Sequence, residues 1–178
     1  FKLVSSLTKV MPDNVNVGYP DKCPASLLQG EVFSLQAADR LNENVVGNLP
    51  FVYIAVSCSL PVTVRQVFNV PVRFPRFGNS DTNYITSSGK LYPDLLRAIH
   101  PRGQVRLYPR QWDAVWLDVE PQPDTAPGNY PLCVTITDED GMELAREEIS
   151  LELLEAELPR QTLIHTRWLH ADSLAAHY

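Results

Sequence analysis

The sequence predicts an all-β protein built as a two-sheet antiparallel β-sandwich, Ig-like or jelly-roll-like. Three observations carry that expectation. Apolar residues alternate with period two in short runs such as VWLDVE and NYPLCVTIT, which are rich in β-branched and aromatic side chains. Turn residues separate the runs, and 15 prolines against 8 glycines suit strand ends and loops while breaking helix interiors. The 178 residues, 44% hydrophobic and 20% charged, suffice for one well-buried core.

The elements follow in order. Residues 1–10 (FKLVSSLTKV) read as a first strand closed by Met11-Pro12-Asp13, and turn residues mark residues 14–28 as a loop. In residues 30–39 (GEVFSLQAAD), Phe33, Leu35 and Ala37 alternate with Ser34 and Gln36, which predicts a half-exposed strand. Residues 51–59 (FVYIAVSCS) are apolar on both faces and are expected at the centre of a sheet. Residues 62–72 alternate until Pro71, which has no amide to donate and predicts a bulge or a sheet edge. Residues 73–101 are the least regular part, with one short helical turn expected at 94–99; so long a connection suggests a functional or packing excursion.

Strands return quickly from Gln104: QVRLY, AVWLDVE, NYPLCVTIT and ELAREEISLELLEAEL, where Ile149, Leu151 and Leu153 alternate with Ser150 and Glu152. Pro127-Gly128 suits a tight turn, and Asp140-Gly141 a hairpin turn. Seven to nine strands over residues 1–158 complete a sandwich. Beyond Leu158-Pro159, residues 161–170 (QTLIHTRWLH) would add a strand and residues 171–178 (ADSLAAHY) a helix start capped by Asp172 or Ser173. A strand and helix behind a complete sandwich read as the opening of a βα unit, so residues 159–178 are expected to be a linker and stub of a second domain.

Net charge of -6 and a pI near 5.1 argue against nucleic acid as a partner. No apolar run approaches the roughly 20 residues of a membrane-spanning helix, so no membrane partner is expected. Charge is unevenly placed: residues 65–110 hold eight Lys/Arg and two Asp/Glu, residues 111–158 one Arg and thirteen Asp/Glu. Oppositely charged strands facing each other explain this more simply than a patch for an anionic ligand. Cys23, Cys58 and Cys133 cannot all pair within one chain and have no CxxC spacing. Free buried thiols are expected, although an Ig-like sandwich can bridge two such strands. With no Asn-x-Ser/Thr sequon, this leans toward a reducing, cytoplasmic compartment.

The sequence itself assigns no catalytic residue, metal or cofactor. His165, His170 and His177 lie close together, but strand spacing turns His165 and His170 to opposite faces and no acidic or Cys ligand completes a set. DEDG resembles a calcium loop without its downstream glycine and glutamate, and a hairpin turn accounts for it. Trp112 and Trp116 share a strand face about 13 Å apart at roughly 3.3 Å per residue. Buried, they are core; exposed in a row with Tyr108, they would form a sugar platform. There is no G-x-S-x-G and no recognisable carboxylate pair for glycoside chemistry.

Several segments, taken in order, resemble the N-terminal region of the glycoside hydrolase family 123-like group of bacterial proteins. They are SSLTKVMPD, GEVFSLQ, LYPDLL, VWLDVEPQPDTAPGNYPLCVTI and LPRQTLIHTRWLHADSLAAHY, spread over essentially the whole chain. The resemblance implies a β-sandwich ahead of a TIM-like barrel, in enzymes that remove terminal N-acetylgalactosamine. It implies substrate-assisted chemistry: the acetamido oxygen attacks the anomeric carbon, an Asp orients it and a neighbouring Glu is the general acid. That pair belongs to a later barrel strand, and no position here matches it.

The resemblance places His165, Arg167, Trp168 and His170 on the first barrel strand, either touching substrate in the intact enzyme or packing between sandwich and barrel. This chain is then expected to be a non-catalytic sandwich whose partner is the C-terminal catalytic barrel of the same polypeptide. The alternative is a carbohydrate-binding module with a glycan partner at Trp112, Trp116 and Tyr108; a free-standing enzyme would need an acid pair in a pocket. A bare barrel-docking surface predicts self-association, and residues after Pro159 are expected to pack less well than the sandwich.

Overall fold

The computed structural model describes residues 1–15, 17, 25–41, 51–73, 89–160 and 162–164. Ten strands form there: β1 (Lys2–Ser5), β2 (Ser26–Gln29), β3 (Phe33–Arg40), β4 (Val52–Cys58), β5 (Val62–Val72), β6 (Lys90–Ala98), β7 (Gln104–Val105), β8 (Trp112–Val119), β9 (Gly128–Thr137) and β10 (Glu143–Glu157). They make two five-stranded sheets, ordered β1-β3-β8-β5-β6 and β2-β10-β9-β4-β7. The all-β sandwich is therefore as the alternation predicts. The pairing is antiparallel throughout except where β2 runs parallel to β10.

The inner faces interlock in one core. Alternation on β8 sends Val115, Leu117 and Val119 inward, beside Leu35 and Ala37 of β3, against Leu132, Val134 and Ile136 of β9 and Leu151 and Leu153 of β10. Each large side chain buried there contributes roughly 1.5–3 kcal/mol. The other residues of β8 meet a second, smaller core on the outer face of the first sheet, where Trp112 and Ala114 pack with Val4, Val10, Val17, Ala38 and Val67. The segment after β1 is thus a strap across that face. Gln36 pins it: its buried Nε2 donates to the carbonyls of Ser5, Ser6 and Thr8 at 3.2, 3.3 and 2.9 Å.

The strap corrects the expectation for residues 30–39. β3 is not half-exposed, because Gln36 and Ala38 are covered from outside while Leu35 and Ala37 are covered from within. Residues 51–59 are less central than their composition suggests; β4 lies between β9 and the two-residue β7, and Ala55 and Ser57 are exposed. The loop expected at residues 14–28 contains β2, recruited by the long β10. The helical turn expected at 94–99 is replaced by β6, which pairs with β5 through a bulge between Phe68 and Asn69. β5 pairs with β8 only over Val62–Gln66, so Pro71 lies past that ladder, as its missing amide requires.

The β9–β10 hairpin forms at the DEDG segment, with Gly141 at φ 82° and Asp138 Oδ1 accepting from the amides of Asp140 and Met142 at 3.0 and 2.8 Å. The Pro127-Gly128 region is turned differently from its sequence expectation: the turn closes from Thr125 N to Gln122 O, and Gly128 already opens β9. Tyr130 Oη then ties back to Ala126 O at 2.5 Å, fixing the approach to the strand. Cys58 and Cys133 are free thiols on the adjacent strands β4 and β9; Cys23 is outside the described residues. In the tail, residues 162–164 take no strand, and the remainder of the predicted strand and helix start lies outside the described residues.

Candidate functional site

The inner face of the first sheet ends in acid. Along β3 the inward series is Phe33, Leu35, Ala37, Asp39, and along β8 it is Val119, Leu117, Val115, Asp113; the register sets Asp39 opposite Asp113. Directly opposed residues on one face hold their Cβ atoms about 4.5–5.5 Å apart, where like charges repel. Asp39 is only 3% exposed, and neither of its carboxylate oxygens has a hydrogen-bond partner; Asp113 Oδ2 is likewise buried and unpaired.

Both acids therefore hold protons unusually well. Burial, then the neighbouring Asp113, pushes Asp39 up to about 7 against a smaller opposing pull from the Phe1 amino group. Burial alone pushes Asp113 up to about 6.

Asp113 also lines a cleft of about 480 Å³ between the two sheets at this end of the sandwich. One wall comes from the β5–β6 ribbon, with Gln66, Phe68, Asn69 and Leu91; the other comes from Phe51 and the 104–111 segment, with Gln104, Arg106, Tyr108 and Gln111. Two backbone features hold that second wall. Gly103 takes φ 71° and sits so close under β4 that a Cβ would collide with the Ile54 carbonyl; Ile54 N in turn donates to Gly103 O at 2.9 Å. Arg110 takes φ 63°, a left-handed conformation rare outside glycine, and so turns Gln111 back toward β8. Arg97 stacks over Phe68 at 4.7 Å and Arg106 over Tyr108 at 5.6 Å.

A second cleft of about 310 Å³ opens at the seam between β4 and β5, with Val56, Cys58, Val62 and His100 in its walls. On the outer face of the first sheet, Asp118 gathers a polar network: Ser34 Oγ donates to Oδ1 at 2.6 Å, Trp116 Nε1 donates to the same oxygen at 2.7 Å, and Arg65 pairs with Oδ2. Arg65 belongs to the basic half of the sequence and Asp118 to the acidic half, so these opposite charges meet across paired strands. Among the described residues, no three His, Cys, Asp or Glu side chains cluster as metal ligands would.

The aromatic row proposed from sequence does not form. Trp112 is 6% exposed in the outer core, Trp116 is half-buried and tied to Asp118, and only Tyr108, at 46%, is open to solvent. The strap accounts for this, since it covers the face the two tryptophans share. His165, Arg167, Trp168 and His170 lie outside the described residues. Asp39 and Asp113 were missed by sequence reasoning although alternation marks them: FSLQAAD and DAVWLDV each place an acid in phase with the core-facing residues.

No family model and no curated protein matches this sequence. Among solved structures, the chain is similar to a family 123 glycoside hydrolase from Clostridium perfringens described for glycolipid glycan hydrolysis. The TM-score is 0.55 at 12% identity, over 76% of this chain and 24% of the other. It also aligns with an ASH/PapD-like domain of human CEP192 at TM-score 0.32 and 14% identity, over 81% of this chain and 96% of the other. The first likeness is one of fold, and the chain spans about a quarter of that hydrolase's length.

Proposed function

We propose that this chain is the non-catalytic N-terminal β-sandwich of a glycoside-hydrolase-like protein and that it braces a C-terminal catalytic barrel of the same polypeptide. The observation that carries the reading is the fold likeness to part of a family 123 glycoside hydrolase, over 76% of this chain. The segment leaving β10 supports it: Leu163 and Ile164 are 72% and 96% exposed, apolar side chains that the sandwich leaves in solvent. A barrel following the sandwich would bury them. His165, Arg167, Trp168 and His170 would then stand at the first barrel strand, toward the active-site mouth.

The activity of the whole protein, on this reading, is release of a terminal N-acetylhexosamine, with the reacting acids supplied by the barrel. The test is to compare the native full-length polypeptide with a form lacking residues 1–158, using chromogenic N-acetylgalactosaminide hydrolysis and thermal unfolding. Activity in the full-length protein, none in the 178-residue chain, and a destabilised barrel after deletion are expected. Hydrolysis by the 178-residue chain alone, or a native polypeptide with no barrel, would end the reading.

A further inference from the structure

We propose that the cleft beside Asp113 is a binding site for one ring of a neutral glycan, a hexose or N-acetylhexosamine, separate from any barrel active site. The chemistry of its walls selects this class. Phe51, Phe68 and Tyr108 line it with aromatic carbon, Arg97 and Arg106 covering one face of Phe68 and of Tyr108, and such carbon suits the C–H faces of a pyranose. Gln66, Gln104 and Gln111 offer amides that donate and accept at once, as sugar hydroxyls do. Its volume of about 480 Å³ lies within the range of small-molecule sites.

The lining also holds acceptors in need of donors. Asn69 Oδ1 and Asp113 Oδ2 are buried without hydrogen-bond partners in two residues that line the cleft. The terminal torsions of Asn and Asp are soft, so a small rotation turns either oxygen toward a ligand hydroxyl. The lining carries one group of each sign, Arg106 and Asp113, so neither an anion nor a cation meets a net opposite charge there. The cleft thus takes a partner rich in O–H and N–H donors and without net charge. Nothing in these walls requires a barrel to follow the sandwich.

The test is an NMR titration of the 178-residue chain with free glucose, galactose, N-acetylglucosamine and N-acetylgalactosamine, with glucuronate, inorganic phosphate and methylammonium as charged probes. At least one neutral sugar is expected to shift the side-chain amide signals of Gln66, Gln104 and Gln111. Tyr108→Ala is expected to weaken that binding by about tenfold, the effect of removing one stacking ring. Gln111→Ala serves as an independent second variant, since both residues are exposed and an unchanged spectrum elsewhere shows the fold intact. No response to any neutral sugar, shifts confined to other surfaces, undiminished affinity in both variants, or a response to the charged probes only would overturn the proposal.

Discussion

Replacing Asp39 with asparagine tests the buried acid pair most directly. A carboxyl whose folded value is raised to about 7 from an ordinary 3.8 binds its proton more tightly folded than unfolded. Native stability is therefore fully present below about pH 3.8 and falls as pH rises, until the folded group has ionised near pH 7. The Asp39→Asn variant keeps the shape and removes the ionisation. Its stability advantage over the native protein should grow by roughly 1.3 kcal/mol per pH unit between about pH 5 and 6, then level off above about pH 7. Between about pH 5 and 8 the total gain should reach roughly 2–3 kcal/mol. Urea unfolding of both proteins across that interval measures the difference directly, and carboxylates away from the Asp39–Asp113 pair cancel because both proteins carry them. A difference that stays flat with pH would show that Asp39 ionises as freely folded as unfolded, and would refute the burial argument.

Three further outcomes follow from the backbone and the strap. Gly103→Ala should cost on the order of 2–4 kcal/mol in denaturant unfolding, because it combines a left-handed conformation with a collision at the Ile54 carbonyl; a loss below roughly 0.5 kcal/mol would contradict that placement. Arg110→Gly should stabilise by up to about 1 kcal/mol, raising Tm by a few degrees, as glycine relieves the left-handed strain at φ 63° and returns part of the gain as chain entropy. Gln36→Leu should cost roughly 2–3 kcal/mol and speed hydrogen exchange in residues 8–15, since the Ser5, Ser6 and Thr8 carbonyls lose their buried donor. Unchanged exchange there would mean that Gln36 does not hold the strap.

The strands of the second half were legible because each carries its own period-two pattern within a few residues. Trp112–Val119, Gly128–Thr137 and Glu143–Glu157 fall on the runs that alternation marks, and the DEDG hairpin falls at its glycine. β6 was not legible, since LYPDLLRAIH also fits a helical turn and becomes a strand only by pairing with β5 across a bulge. β2 was hidden for a similar reason: four residues have too little local preference to declare a strand, and the parallel ladder of β10 supplies it. The candidate cleft was still less legible. Its walls join residues as far apart as Phe51, Asn69, Tyr108 and Asp113, and nothing in any one segment reveals that they converge.

The sandwich, its main strands and the core-bearing side of each strand are written in the residue order, because alternation is a local consequence of the pleat. That order also carried, unread, the two acids in phase with that core. Register and long-range packing set Asp39 opposite Asp113, bury Trp112 under a strap from the N-terminal segment, and bring Phe51, the β5–β6 ribbon and the 104–111 segment around one cleft. Those outcomes depend on register and on contacts between distant segments, which a period read along one strand does not contain.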